Sequence, residues 1–463
     1  MKNLKTNIFK FLLIFSGLCI IQSCAVKQPG TSEDLQEEAF ANFILPSTWQ
    51  NSADTLAIQD NWLSTFNHPV LDTLVKEALV YNPDLRISSS RIEEANGYLQ
   101  AAQAALRPAF SILGRESTKL GGTFGNGLNG ALFAASWELD IWGKLRSARS
   151  AEEANLEAMK SEQSFARLSI AAHVTRTYFL ASKTFLQMEL AQQMIALSEN
   201  MKTISQNRFD IGIGTQIDVE MANANLNSLK DANRQLELAY ANQLRALELL
   251  LGRYPAAEIE VKNELVELNA EIPSGIPLQI LERRPDVLAS QQRYNAAFYR
   301  VGEAEAAKLP QLSLTASLGI LDSQIFQLSD DFSNPIRSIG GELAAPIYQG
   351  GALKANVAIR TAQQKQALED YNRTVLNAMA DVENTLDAVQ TVGEREIFIK
   401  QSVTSNEKAF ELEEVRFKVG LVDMRNLIDQ QMDLYKSQTD LLNIKGEKII
   451  QRINLYMALG GNM

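Results

Sequence analysis

The chain has 463 residues, 55 acidic against 44 basic, a net charge of −11, two cysteines and two histidines. That charge balance excludes the electrostatic footprint of a nucleic-acid binder. The histidines, His68 before Pro69 and His173 between Ala172 and Val174, supply no metal-ligand set and no Ser-His-Asp arrangement, so both read as structural and no catalytic residue, metal or cofactor is assigned.

In chain order, Lys2, Lys5 and Lys10 precede an apolar run from Phe11 to Ile21. A basic n-region and a short h-region mark a secretory signal, and the run is too short to span a bilayer. It closes on Ile21-Gln22-Ser23-Cys24, which resembles a bacterial lipobox, with Gln22 the less usual residue. The resemblance implies removal of residues 1–23 and acylation of Cys24, palmitate included. The alternative is an ordinary signal peptide with an incidental cysteine. Attachment through more than one acyl chain gives stable anchoring. Residues 24–60 follow as an amino-terminal extension.

Pro83 after Asn82 is a good helix start and Pro108 a stop, because proline suits the first helical turn and breaks the interior. A helix is predicted over 83–107, then strands at about 109–118 and 129–141 joined by the Gly-rich 121–130. No proline or glycine interrupts Lys144 to Asp210, where Leu168, Ala171, Thr175, Tyr178, Ser182 and Phe185 keep a 3-4 spacing, so a long helix is predicted over 143–208. A further helix, 217–250, carries a coiled-coil-like seam through Val219, Ala222, Leu226, Leu229, Asn233, Leu236, Tyr240, Gln243, Leu247 and Leu250.

The chain then repeats itself. Pro83-Asp84 and Pro108 return as Pro285-Asp286 and Pro310, an offset of 202; Arg208-Phe209, Gly212 and Leu251-Gly252 return as Arg416-Phe417, Gly420 and Leu459-Gly460, an offset of 208. Helices are predicted over 285–309, 350–416 and 425–458. Strands are predicted at about 311–321 and 337–348, around the polar 322–335. Two copies of this period are too long and too few for a solenoid. The division is 61–252 for the first repeat, 253–275 for a connection and 276–463 for the second repeat.

At 1.5 Å per residue the helix 143–208 reaches about 99 Å, and 83–107 with 217–250 together reach about 89 Å, so one long helix matches two short ones placed end to end. Gln311 to Ile320 alternates apolar and small polar residues without a fault, and Trp137 to Ile141 alternates with charges on its second face. A half-buried soluble sheet has the same period. The strand length, the lipobox and the aromatic Trp137 and Trp142 favour a membrane β-barrel. Four strands cannot close a lumen and open edges are not tolerated in lipid, so copies must share one barrel with cyclic symmetry. The fold class is mainly α with a membrane β-barrel portion, a duplicated helix-strand-strand-helix repeat.

Asn82-Pro83-Asp84-Leu85, the run Trp137 to Arg146, Arg283-Arg284-Pro285-Asp286-Val287, Pro346-Ile347-Tyr348-Gln349-Gly350-Gly351 and Ala458-Leu459-Gly460-Gly461 resemble the motifs of TolC-like outer-membrane efflux channels, and more closely the acylated group that partners resistance-nodulation-division pumps. The resemblance covers nearly everything from about residue 55. It implies a homotrimer with a twelve-stranded barrel in the outer membrane and a helical barrel across the periplasm. It further implies an equatorial belt built from the amino-terminal segment, 253–275 and the carboxyl end. Small molecules such as drugs or toxic compounds would pass unchanged, with a periplasmic adaptor and an inner-membrane pump as partners. The alternatives are a duct for type I protein secretion, disfavoured by the lipobox, and a periplasmic coiled-coil scaffold. By the same resemblance the hairpins carrying Gly212, Gly214 and Thr215, and Gly420, Leu421 and Asp423, face the adaptor. Asp429 stands where the family commonly has a constricting aspartate, and Asn426 departs from the second aspartate one turn earlier. A solvated surface carboxylate near a helix start is the other reading of Asp429.

Overall fold

The computed structural model describes residues 26–40, 46–50, 60–115, 129–262, 264–267, 274–322 and 336–461. The signal segment and Cys24 lie outside the described residues, as do most of both strand-connecting segments. In chain order come α1 (Ser32–Ala39), a 3-10 turn (Trp62–Phe66), α2 (Pro69–Tyr81), α3 (Pro83–Ala104), β1 (Ala109–Arg115), β2 (Asn129–Leu139), α4 (Lys144–Asp210) and α5 (Gln216–Leu250). The second half follows with α6 (Pro277–Arg283), α7 (Pro285–Ala306), β3 (Gln311–Asp322), β4 (Ile336–Ala344), α8 (Ala352–Lys418) and α9 (Met424–Ala458). The halves match in length: α4 and α8 have 67 residues each, α5 and α9 35 each, α3 and α7 22 each.

The chain divides into two compact units that cut across this duplication, since each takes parts of both halves. One unit, residues 90–161 and 288–374 with the amino-terminal segment, holds the sheet. Its order is β1-β2-β3-β4, all antiparallel. β4 ends at Ala344, short of the expected 348, where its register against Gln311 runs out and Pro346 has no N–H to give. β2 ends at Leu139 rather than 141. In the same unit α1 buries Leu35 and Ala39, and Phe40 stacks on Tyr371 at 6.1 Å. Burial pushes the Tyr371 phenol up to about 12.

The other unit, residues 45–89, 162–287 and 375–463, holds the main core. Trp62, Phe66, Leu71, Tyr178, Phe179, Leu247, Ile453 and Tyr456 meet there. The α5 seam runs through Val219, Ala222, Leu226, Leu229 and Asn233 and then slides to Leu244, Leu247 and Glu248. That slide is the drift of a 3.6-residue helix relative to a seven-residue repeat.

Corresponding positions of the two halves solve one problem with different chemistry. The Asn82 Nδ2 donates to the Leu250 carbonyl at 2.9 Å, while its Oδ1 accepts the Asp84 and Leu85 N–H groups at 2.9 and 3.3 Å. One side chain thereby caps the start of α3 and the end of α5. In the second half Arg284 takes this place and donates to the Ala458 carbonyl at 3.3 Å. Being charged and 5% exposed, it needs anions. Asp286 and Asp381 supply them at 2.8 and 3.1 Å.

Candidate functional site

The sheet is apolar on one face and polar on the other. Phe110, Ala135, Ala316 and Ile339 lie directly across from one another, as do Ile112, Phe133 and Leu318. On the opposite face Glu138, Ser313 and Glu342 align, and Ser317 and Ser338 share a hydroxyl hydrogen bond of 2.6 Å. Leu113 and Leu132 on the polar face and Arg337 on the apolar one depart from this pattern. No described strand residue is buried on either face; Ile339 is 92% exposed. A sheet in water must cover its apolar face. Among the described residues this one has an uncovered apolar face and unpaired outer edges on β1 and β4.

The turn from β2 into α4 is fixed by its own residues. Gly143 adopts φ +78°, and a Cβ there would come within 3.0 Å of the Val26 Cγ2. The Asp140 carboxylate accepts the Leu145 and Arg146 N–H groups at 2.9 Å each and the Arg146 Nε at 3.0 Å, an anion at a helix N-terminus. Trp137 and Trp142 donate to the Leu106 and Pro310 carbonyls at 2.9 and 2.5 Å. Such aromatic residues with one polar tip suit a boundary that is wet on one side. Val26 thus sits beside this turn, and Gln28 accepts from the Tyr299 hydroxyl at 2.8 Å.

The hairpins between long and short helices contain every predicted tip residue. Gly212 and Gly420 share φ +78°. Ile213 and Leu421 donate back to the Arg208 and Arg416 carbonyls at 2.9 Å each, the bond that closes a helix through a left-handed glycine. Gly214 has a different reason: a Cβ would lie 3.0 Å from the backbone of Arg208 and Phe209. Its counterpart is Val422, so the two tips are not interchangeable. Thr215 caps α5 in a reciprocal box with Asp218, and Asp423 caps α9 by accepting the Asn426 N–H at 3.1 Å. The Arg208 guanidinium lies over the Phe417 ring at 5.0 Å, and the tips enclose a cleft of about 340 Å3. Asn426 and Asp429 are both exposed one turn apart on α9, beside the buried Leu427 and Ile428.

Two buried polar groups escape sequence reasoning. Glu248, 2% exposed, accepts the Ala257 and Glu258 N–H groups at 2.7 Å each. Desolvation opposes its charge, but the N–H groups of Ala257, Glu258, Ile259 and Ala256 outweigh that and hold its pKa below the ordinary carboxylate range. In the sequence Glu248 stands one position past Leu247 and outside the seam, so it reads as one more charge on the helix. His68 caps α2, its Nδ1 accepting the Leu71 N–H at 3.3 Å, and its Nε2 lies 3.3 Å from the Tyr178 hydroxyl. That hydroxyl also accepts the Lys262 N–H at 3.1 Å. Both groups tie the connection after residue 253 to the core.

Residues 74–253 and 276–461 each match the family described as "Outer membrane efflux protein". The chain is similar to the pyoverdine export outer membrane protein OpmQ of Pseudomonas putida, 28% identical over 434 residues, 90% of this chain and 92% of that one. It is also similar to the cation efflux system protein CusC of Escherichia coli, 27% identical over 424 residues, 89% and 90% of the two chains. Among solved structures, the outer-membrane channel OprN superposes with a TM-score of 0.83 at 22% identity, over 95% of this chain and 99% of that one.

Proposed function

The chain belongs to the outer membrane efflux protein family, and from that premise we propose how it works as the outer-membrane duct of a tripartite efflux system. Three copies close one barrel, with the apolar face of each four-stranded sheet toward lipid and the polar face toward the lumen. The observation that carries this reading is the sheet itself, uncovered on its apolar face and unpaired at its edges among the described residues, an arrangement that only lipid and further copies can complete.

The protein performs no chemistry on its cargo. Its lumen is a polar path through which small molecules move down a gradient set by the inner-membrane pump, with a periplasmic adaptor meeting the tips at Gly212, Gly214, Thr215, Gly420, Leu421 and Asp423. Asp429 narrows the periplasmic end as a ring of carboxylates, and Asn426 leaves that ring single. Cys24 carries the acyl anchor, a role supported by Val26 lying beside the Trp142–Gly143 turn, where the sheet ends. Repeats 61–252 and 276–463 are the two functional halves, and residues 24–60 with 253–275 form the belt around the helices. OpmQ and CusC are named for cargoes as different as pyoverdine and cations, so the fold does not select the cargo.

The test is deletion and reconstitution. Loss of the protein should raise steady-state accumulation of a fluorescent efflux substrate several-fold, with rescue by the wild-type gene, and the purified protein should conduct ions in planar bilayers. Unchanged accumulation together with no conductance would overturn the reading.

A further inference from the structure

Two cations on α4 are answered by no anion. Arg176 donates to the Asn454 amide oxygen of α9 at 2.5 Å and approaches the Met457 sulfur at 4.0 Å, while its Nε is buried and meets no acceptor among the described residues. Lys183 donates to the Asn443 amide oxygen at 3.1 Å, an acceptor it shares with Gln187. Both side chains are half-buried; burial lowers both pKa values and no carboxylate raises them. Other part-buried cations of the chain are neutralised: Arg284 has Asp286 and Asp381, Arg300 has Glu152 and Glu303, and Lys448 has Glu396. A cation taken from water costs free energy until an anion meets it.

The structure makes room for this arrangement without needing it. Gly446 stands in α9 where Lys183 crosses, and a Cβ there would lie 2.8 Å from the lysine Cδ and 3.4 Å from its Cγ. Glycine inside a helix costs about 1 kcal/mol against alanine, and here it leaves the lysine stem its place. The duplicated helix does without the charges: α8 repeats α4 at an offset of 208, and the counterparts of Arg176 and Lys183 are the neutral Asn384 and Thr391.

Helix geometry gives the direction in which the two cations face. At 3.6 residues per turn they lie on the side of α4 opposite Tyr178, whose ring is in the main core and whose hydroxyl accepts the Lys262 N–H of the connection. With that connection in the belt around the helices, the opposite side is the inner wall of the duct. Arg176 and Lys183 are two turns apart, about 10 Å along the axis. They lean away from each other toward Asn454 and Asn443, whose positions on α9 are about 16 Å apart. A single inorganic anion does not bridge that gap, whereas an organic molecule with an anionic group at each end does.

We propose that Arg176 and Lys183 form a subsite on the inner wall for organic dianions, molecules whose carboxylate or phosphate groups sit roughly 10 to 16 Å apart. The proposal rests on the duct reading and adds a preference to it: the fold leaves the cargo open, and two side chains that the fold does not need weight it toward anions.

Decanedioate is the probe, with inorganic phosphate and succinate, too short to reach both cations, as comparisons. In planar bilayers at low salt, decanedioate should block the single-channel current of the wild-type oligomer at several-fold lower concentration than succinate or phosphate. Arg176→Gln and Lys183→Gln should each weaken that block several-fold, the double variant should lose it, and Arg176→Lys should keep most of it. Decanedioate should also raise the melting temperature of the wild type and not of the double variant, which without ligand should be no less stable because two unanswered charges are gone. A double variant blocked like the wild type would overturn the subsite and leave the duct reading standing, and equal block by all three anions would do the same. Loss of the oligomer in both Gln variants would also overturn it, as the sign that a carboxylate of another copy already holds the cations. A wild type that carries no current would overturn the duct reading and the subsite with it.

Discussion

Glu248 offers the most direct measure of how the connection between the halves is held. Its carboxylate takes two backbone N–H groups at 2.7 Å each on a side chain 2% exposed, so water cannot replace the bonds when they are lost. Hydrogen bonds to charged groups contribute about 1.5–3 kcal/mol each, and an orphaned buried donor costs a similar amount. Glu248→Gln keeps the shape, removes the charge and, since Ala257 and Glu258 donate to different carboxylate oxygens, turns an NH2 group toward one of the two donors. We expect a local loss of about 2 kcal/mol, which is roughly 30-fold faster opening. Hydrogen–deuterium exchange on peptides covering residues 253–262 of the solubilised protein reads this directly, with peptides from α4 as the unaffected reference.

Acid provides the second arm. A carboxylate whose folded pKa is depressed stabilises fully above the ordinary value of 4.5 and loses that contribution as pH falls through the lower folded value. Protection at 253–262 should therefore persist to below pH 4.5 in the wild type and then drop, whereas the Gln variant should start low and lack the step. Equal exchange in both proteins at neutral pH would refute the reasoning.

Gly319→Ala should block pairing of β2 with β3, because its Cβ would stand 2.2 Å from the Ala131 carbonyl oxygen; the check is loss of heat-modifiable oligomer in the outer membrane, and normal assembly would contradict it. Gly212→Val and Gly420→Val meet no neighbour within 4 Å, so their penalty is the left-handed backbone alone, about 1–2 kcal/mol. Export should fall while oligomers persist, and normal export by both would remove the tips from the docking surface. Burial, with the charge of Lys262, lowers the His68 pKa against the opposing pull of Glu264 and Asp72, so the fold favours the neutral ring. Stability should fall as pH drops below 6.5 and level off below the folded value. His68→Asn, which keeps a cap, should shrink the difference in melting temperature between pH 7.5 and 5.5, and an undiminished difference would exclude His68 as its source. Asp429→Ala should weaken block of single-channel current by multivalent cations from the periplasmic side, and Asn426→Asp should strengthen it. Both effects should fade as salt shortens the Debye length, about 10 Å at 0.1 M, and unchanged block at low salt would place Asp429 off the lumen.

The duplication, the two 67-residue helices, the four strands and the glycine-closed tips were legible in the residues. Their causes act over a few positions: proline at Pro83 and Pro285 starts a helix, Gly212 and Gly420 end one, and the period of two from Gln311 to Ile320 makes a strand. The resemblance supplied the outer-membrane location and the efflux role, which composition and spacing could only narrow.

Tertiary structure alone decided which distant group each polar side chain answers. Asn82 and Arg284 occupy the same place in the two motifs, yet which carbonyl they meet depends on where α5 and α9 end beside them. Glu248 looked like one more charge on a helix until the chain after residue 253 turned four N–H groups toward it. Burial decides these matches: a polar group removed from water must be satisfied by whatever the fold brings alongside, and that neighbour can lie 174 residues away, as the Ala458 carbonyl does from Arg284.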